Sequence, residues 1–138
     1  MKAHAHNIQS KIIEPNRTGP AFMIWCRLCL FLVGMFIFVV ANLAPGTVAI
    51  GLGHDKLNHA LAFACLTPLA AFAFPQAGLI SLLFALMLFN AGIELTQAAL
   101  AFGREPDLVD WGVGVLATLP VLGAVAIYRF ARTARAKE

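Results

Sequence analysis

The stretch LNHALAFACLTPLAAFAFPQAGLISLLFALMLFNAGI, residues 57–93, contains no Asp, Glu, Lys or Arg. As a single helix it would be about 55 Å long at about 1.5 Å per residue, whereas the hydrocarbon core of a bilayer is only about 30 Å thick. A break is therefore predicted, and the segment FPQAG at 74–78 supplies one, because proline ends a helix and glycine permits a tight reversal. The stretch predicts two membrane-spanning helices, near residues 58–74 and 78–100.

The composition favours an integral membrane protein throughout. Hydrophobic residues make up 60% of the 138-residue chain and charged residues only 12%, against about 25% charged residues in a typical soluble domain. Apolar runs near 22–43 and 108–128 predict two further spans, and backbone groups in lipid must be paired within each helix. The predicted fold is all-α, an integral membrane bundle of four transmembrane helices over residues 21–129, with an N-terminal tail at 1–20 and a basic tail at 130–138.

The basic residues predict how this bundle is oriented. Seven of them lie in the two tails or directly beside them: Lys2, Lys11, Arg17, Arg129, Arg132, Arg135 and Lys137. The 45–57 and 101–108 loops contain only Lys56 and Arg104. Because cytoplasmic segments carry the excess of Lys and Arg, both termini are expected in the cytoplasm, in a multi-pass protein of the bacterial inner (plasma) membrane. Anionic lipid is sufficient to explain the basic C-terminal tail, and no nucleic acid is implied.

The first span and the cysteines have alternatives of their own. The apolar stretch is longer than the roughly 7–15 residues of the apolar region of a signal peptide, so a retained helix is expected, with the Arg27 side chain reaching the membrane surface. Cys26 and Cys29 form a CxxC inside this span, but no second Cys or His pair accompanies it. These cysteines and Cys65 are interpreted as small apolar residues that pack between helices.

Most polar residues outside the tails converge on one end of the predicted bundle, the outer one. They come from the start of the second span, the end of the third, and the loop and start of the fourth: Asp55, Lys56, His59, Glu94, Gln97, Arg104, Asp107 and Asp110. Asp55 and His59 are four residues apart, and Glu94 and Gln97 three, so each pair shares a helix face. Pro106 and the two following aspartates are typical of the first turn of a helix. We expect these residues to form a shared polar site.

Glu94 is the most informative of these residues because it lies about 9 Å along the helix axis from Leu100 and so below the membrane surface. A carboxylate at that depth costs a few kcal/mol unless it faces the bundle with a partner or is protonated. Arg104 and His59 are the candidate partners. The alternatives are an ordinary helix end at Asp55-Lys56, a packing histidine, an interhelical contact at Gln97 and a solvated loop at 104–107.

Three polar blocks between residues 53 and 117 follow one another in a fairly specific order and spacing. They are D-K-x-x-H-x-x-x-F from Asp55, I-E-x-x-Q from Ile93, and G-R from Gly103 with Asp110 six residues beyond Arg104. This pattern resembles that of the VanZ-like family of small helical membrane proteins, whose name-giving member is associated with low-level resistance to the glycopeptide teicoplanin. The family pattern commonly has Asn and Gly where this chain has Gly114 and Ala117. Either the function differs here, or Gly114 and Gly112 let helices approach closely instead.

Three functions are compatible with these residues. The resemblance implies a protein that binds a lipid, a cell-envelope precursor or a lipophilic glycopeptide through the eight polar residues, with Arg104 and Lys56 on anionic groups and the acids on amide or hydroxyl donors. A membrane-embedded enzyme would use His59, Glu94 and Asp110 as candidate catalytic groups, and Asp55, His59, Glu94 and Asp110 would suit a divalent metal. A structural or assembly subunit would use the same contacts to join helices. No cofactor motif is present, and the oligomeric state is left open.

Overall fold

The computed structural model of the chain describes residues 19–43, 55–100 and 107–136, with the side chain of Asp55 outside this description. Four helices follow one another: α1 Pro20–Ala41, α2 Asp55–Ala73, α3 Leu79–Leu100 and α4 Leu108–Arg135. No strand occurs in these three ranges, so the all-α prediction is confirmed. α4 continues seven residues past 128, where the fourth span was expected to end.

Three of the four helices, α1, α3 and α4, are long and apolar enough to cross a membrane. The less apolar helix, α2, occupies the centre and packs against all three others. Its buried side chains are His59, Phe63, Leu66, Thr67, Ala70, Ala71 and Ala73. The side of α2 that packs against the other helices presents little surface to lipid, so it can carry polar residues that a lipid-facing side cannot.

The core has two parts along the length of α2. Phe63 and Leu66 of α2 pack with Leu86 and Ile93 of α3. Nearer the α2–α3 turn, small residues of α2 pack against Leu82 and Leu122. Because lipid tails are as apolar as the side chains, association in a membrane depends on close packing and interhelical hydrogen bonds. The alanines of α2 allow that close approach.

The reversal between α2 and α3 lies where the sequence predicted it, but Gly78 does not make it. The turn is closed by a hydrogen bond from the Ala77 N–H to the Phe74 carbonyl, 3.0 Å long. Gly78 has no left-handed backbone, and a Cβ there would meet only Ser81 Oγ at 3.7 Å. The reversal therefore does not depend on the conformational freedom of glycine that the sequence analysis invoked, since an ordinary turn supplies the change of direction.

Two arginines from other helices bind the carbonyls at this turn. Arg129 Nη1 of α4 donates to the Ala77 carbonyl at 2.7 Å, and Nη2 approaches the Ala71 carbonyl at 3.4 Å. Arg27 Nε of α1 donates to the Ala73 carbonyl at 3.2 Å. The last carbonyls of a helix lack partners within it and carry partial negative charge. The arginines satisfy them, which places Arg27 level with the end of α2.

Candidate functional site

The exposed layer of the candidate site is a lysine held between two aspartates at the end of the bundle opposite this turn. Lys56 Nζ at the start of α2 donates to Asp107 Oδ2 at 3.0 Å and to Asp110 Oδ1 at 3.1 Å. The hydrogen bond to Asp107, then that to Asp110, raises the pKa of Lys56 above its usual value. The hydrogen bond from the Val109 N–H, followed by that from Lys56, lowers the pKa of Asp107. Lys56 and Asp107 are therefore both charged at neutral pH.

The buried layer is the pair His59 and Glu94, which joins α2 to α3. His59 Nε2 lies 3.2 Å from Glu94 Oε1, and the two side chains are only 8% and 11% exposed. The atoms are within ion-pair distance, but Oε1 of Glu94 has no aligned hydrogen bond among the described residues. The His59 ring also lies nearly parallel to that of Phe63, at 12° and 6.5 Å between centroids. His59 is thus the partner of Glu94 that was expected within the bundle.

Asp107 connects the exposed layer to the buried one. It is the N-cap of α4, with its side chain accepting from the Val109 N–H at 2.7 Å. Its own N–H donates to Glu94 Oε2 at 3.0 Å. A buried carboxylate thereby gains a backbone donor at a helix N-terminus, where the helix dipole favours negative charge. Capping by Asp107 agrees with the predicted helix start, since α4 begins at Leu108.

Gln97 lies one turn beyond Glu94 on α3 and performs a different task. Its Nε2 donates to the Ala41 carbonyl at 2.7 Å. Ala41 is the last residue of α1, at a helix end where side chains from elsewhere commonly bind the carbonyls. Gln97 therefore makes the interhelical contact that the sequence analysis gave as its alternative role. Its side chain joins α3 to α1 beside the polar site.

Asn90, which the sequence analysis did not single out, makes a further polar contact between helices. It is 1% exposed and lies one turn before Glu94 on α3. Its Nδ2 donates to the Trp111 carbonyl of α4 at 2.9 Å. The sequence signal that could have identified Asn90 is an uncharged amide in an apolar run. Within a membrane such an amide must hydrogen-bond to another part of the protein.

Gly114 makes room for that amide. A Cβ on Gly114 would overlap Asn90 Nδ2 and stand 2.9 Å from Phe63 Cδ2, whereas a Cβ on Gly112 would meet nothing within 4 Å. Of the two glycines expected to permit close approach, only Gly114 does so. At this position the VanZ-like pattern has Asn, and here an amide from the neighbouring helix fills the space beside it.

Several predicted residues lie outside what the structure describes. Arg104 and the side chain of Asp55 are among them, so their places in the site stay predictions. Within the described ranges, no three His, Cys, Asp or Glu side chains lie close enough together to hold a metal ion. Cys29 and Cys65 are exposed and Cys26 half-buried. Their predicted packing between helices is wrong for the two exposed cysteines, since both lie on outward faces.

Comparison of the chain with protein-family models, with curated proteins and with solved structures finds no match.

The geometry of the site limits its chemistry. Lys56 is already bonded to two carboxylates, so it is poorly placed to be the main contact for an anion. The described acids, Glu94, Asp107 and Asp110, outnumber Lys56, and carboxylates accept hydrogen bonds rather than donate them. The site therefore suits a ligand rich in N–H and O–H donors, and the His59–Glu94 pair has the groups for proton transfer.

Proposed function

We propose that this chain is a VanZ-like integral membrane protein with four spans and both termini in the cytoplasm of a bacterial cell. The length of α2, about 28 Å for its 19 residues, is close to the roughly 30 Å hydrocarbon core. Arg129, Arg132 and Arg135 on α4 lie toward the end of the bundle that carries the α2–α3 turn. The positive-inside rule assigns that end to the cytoplasm and the polar site to the outer face.

The polar site binds the polar part of an envelope ligand, and its role is in envelope homeostasis or glycopeptide resistance. A lipid head group, a lipid-linked cell-wall precursor and a lipophilic glycopeptide are the ligand classes that the resemblance implies. The excess of carboxylates favours the last two, because sugar and peptide groups supply amide and hydroxyl donors where a phosphate supplies only acceptors. The observation that carries this proposal is the buried Glu94 Oε1, a carboxylate oxygen with no aligned hydrogen bond among the described residues.

The test is Glu94→Gln. Glutamine keeps the shape of the side chain and an oxygen that accepts from the Asp107 N–H, but it cannot ionise. We expect normal insertion and abundance with loss of function, measured as teicoplanin susceptibility of a bacterium that expresses the chain and as binding of teicoplanin to the purified protein. Gln97→Glu, one turn away, is not expected to restore function. If Glu94→Gln, His59→Ala and Arg104→Ala all retain activity at normal abundance, the shared site is refuted.

Membrane topology has its own test. Single cysteines at positions 56 and 104, in a chain whose Cys26, Cys29 and Cys65 are replaced by alanine, are expected to react with an impermeant maleimide added outside the cell. A cysteine in the basic tail, at position 135, is the matched control and is expected to react only after permeabilisation. Labelling of positions 56 and 104 from the cytoplasmic side alone would overturn the topology.

A membrane-embedded enzyme is the second candidate, and one contact favours it. His59 Nε2 and Glu94 Oε1 are 3.2 Å apart and largely shielded from solvent, as a general acid and base must be to exchange a proton. Catalysis would be supported if the unaltered chain turned over a lipid-linked precursor and both His59→Gln and Glu94→Gln lost this turnover while they still bound the ligand. If all substitutions at the site reduce thermal stability in detergent and nothing else, the site only joins helices.

A further inference from the structure

An apolar cleft runs along the bundle between α1 and α3, with α2 behind it. Its volume is about 630 Å³, within the roughly 300–1,000 Å³ of small-molecule sites. Leu66 and Leu86 form its buried floor, and Phe31 and Met35 on its rim are about half exposed or more. Because the rim residues face outward on apolar helices, the cleft opens toward the lipid rather than into the polar site.

One end of the cleft carries a single charge. Among the described residues that line it, Arg27 is the one that carries a charge. The Nε of Arg27 donates to the Ala73 carbonyl at 3.2 Å, and its guanidinium lies 5.1 Å from the centre of the Phe74 ring. These two contacts fix the plane of the guanidinium at the level where α2 ends. A bidentate contact with a phosphate uses the Nη donors, which the contact to Ala73 does not involve.

The dimensions of the cleft match one half of a bilayer. Its lining on α1 runs from Arg27 to Phe38, about 16 Å along the helix axis at about 1.5 Å per residue, and half of a bilayer's hydrocarbon core is about 15 Å. The cleft is therefore long enough to hold a large part of one acyl chain, with the cation at the end that lies level with the α2–α3 turn.

The lining of the cleft indicates what kind of molecule suits it. Apart from Arg27, the residues that line it are apolar. A hydrocarbon chain suits an apolar cleft that opens toward lipid, and the positive charge at one end favours an anionic head group.

We propose that this cleft binds one acyl chain of an anionic phospholipid, with the lipid phosphate on Arg27. This lipid site lies at the opposite end of the bundle from the His59–Glu94 pair, and it does not depend on the function proposed for that pair. Its role is to fill the space between α1 and α3, which touch each other less than any other pair of packed helices.

Native mass spectrometry of the full-length chain in detergent, titrated separately with phosphatidylglycerol and phosphatidylcholine, tests this proposal. We expect one tightly bound phosphatidylglycerol per chain and weaker binding of phosphatidylcholine. Arg27→Gln is expected to weaken phosphatidylglycerol binding about tenfold or more, since a bidentate charged contact contributes at least about 1.4 kcal/mol. Ala85→Trp, on the exposed lining of the cleft, is expected to remove the bound lipid altogether.

Two variants serve as matched controls. Arg135→Gln removes one positive charge outside the cleft, and Ala124→Trp adds the same bulk on an exposed face of α4; both are expected to bind phosphatidylglycerol as the unaltered chain does. Equal affinity for the two lipids would overturn the proposal. The proposal would also be overturned if Arg135→Gln lost as much phosphatidylglycerol binding as Arg27→Gln does. It would be overturned as well if Ala85→Trp bound the lipid normally but changed the oligomeric state. Helix content and unfolding temperature establish that each variant is folded.

Discussion

A methyl group at position 114 tests how closely α4 packs against α2 and α3. The added Cβ of Gly114→Ala would overlap Asn90 Nδ2, and it would stand 2.9 Å from Phe63 Cδ2 and 3.2 Å from Asn90 Cγ. Both neighbours are only 1% exposed, so neither has free space into which it can turn. The methyl group can be accommodated only if the helices separate or if Asn90 leaves the Trp111 carbonyl.

The size of the effect follows from three contributions. Overpacking a buried position costs about 1–3 kcal/mol, and loss of the 2.9 Å hydrogen bond from Asn90 to Trp111 adds about 1 kcal/mol. Alanine recovers about 0.5–1 kcal/mol because it is the better helix former. We therefore expect Gly114→Ala to lower the free energy of unfolding by about 2 kcal/mol.

The measurement is reversible unfolding in mixed micelles followed by circular dichroism. Gly112→Ala is the matched control, because a Cβ at that position meets nothing within 4 Å. It is expected to leave stability unchanged or to raise it by up to about 1 kcal/mol. If Gly114→Ala is as stable as Gly112→Ala, the close packing described around Asn90 is refuted.

An exchange of residues sharpens this prediction. Gly114→Asn alone should destabilise the bundle more than Gly114→Ala, because its side chain is larger. Combined with Asn90→Gly, it places the amide on α4, as in the VanZ-like pattern, and vacates the space on α3. The double variant is expected to be more stable, by at least about 1 kcal/mol, than the sum of the stability changes of the two single variants predicts. Strict additivity would mean that the two positions do not share one space.

Two further outcomes concern the polar end. The contribution of Lys56 to stability can be measured as the difference in unfolding temperature between the unaltered chain and Lys56→Met, and it should be constant near neutral pH. Because the pKa of Asp107 is lowered from its ordinary value of 3.8, the difference should shrink as pH falls below 3.8. Because the pKa of Lys56 is raised from its ordinary value of 10.5, the difference should also shrink as pH rises above 10.5. A difference that is flat from acid to alkaline pH would show that the Lys56 ion pairs contribute nothing. Gln97→Leu should cost about 1 kcal/mol because it removes the hydrogen bond between α3 and α1. Thr96→Val loses only a bond within α3 and should be nearly neutral. Equal stability of the two variants would contradict the interhelical role.

The positions of the helices were predictable because charge is scarce in this chain. With only 12% charged residues, the apolar runs indicated where each helix lies, and Pro75 marks the reversal. The charges did not fix the helix ends, since α1 contains Arg27 and α4 continues to Arg135. The same scarcity made Glu94 conspicuous, and its contact with His59 followed from the topology, which brings the start of α2 to the end of α3. The N-cap at Asp107 was predictable from local sequence, since a capping carboxylate acts within its own turn.

What the sequence did not predict depends on how each helix is rotated about its axis. Asn90 was overlooked because periodicity in a uniformly apolar run does not distinguish an inward amide from an outward one. The bonds from Arg27 and Arg129 to the turn join residues 46 and 52 positions apart, and no local pattern connects them. The central place of α2 was likewise missed, although its polar residues are tolerated for that reason.

The polar contacts at the site join helices that apolar packing alone would leave loosely associated. His59 and Glu94 connect α2 to α3, the Asp107 N–H connects α3 to α4, and Gln97 connects α3 to α1. In a membrane the apolar surfaces gain little by leaving lipid for one another, so these bonds determine how the helices are arranged. A substitution that removes Glu94 therefore disturbs assembly whether or not Glu94 also binds a ligand or transfers a proton. Glu94→Gln separates these roles, because the amide oxygen still accepts from Asp107 while the ionisable group is gone, so a folded but inactive protein would assign the chemistry to the carboxylate itself.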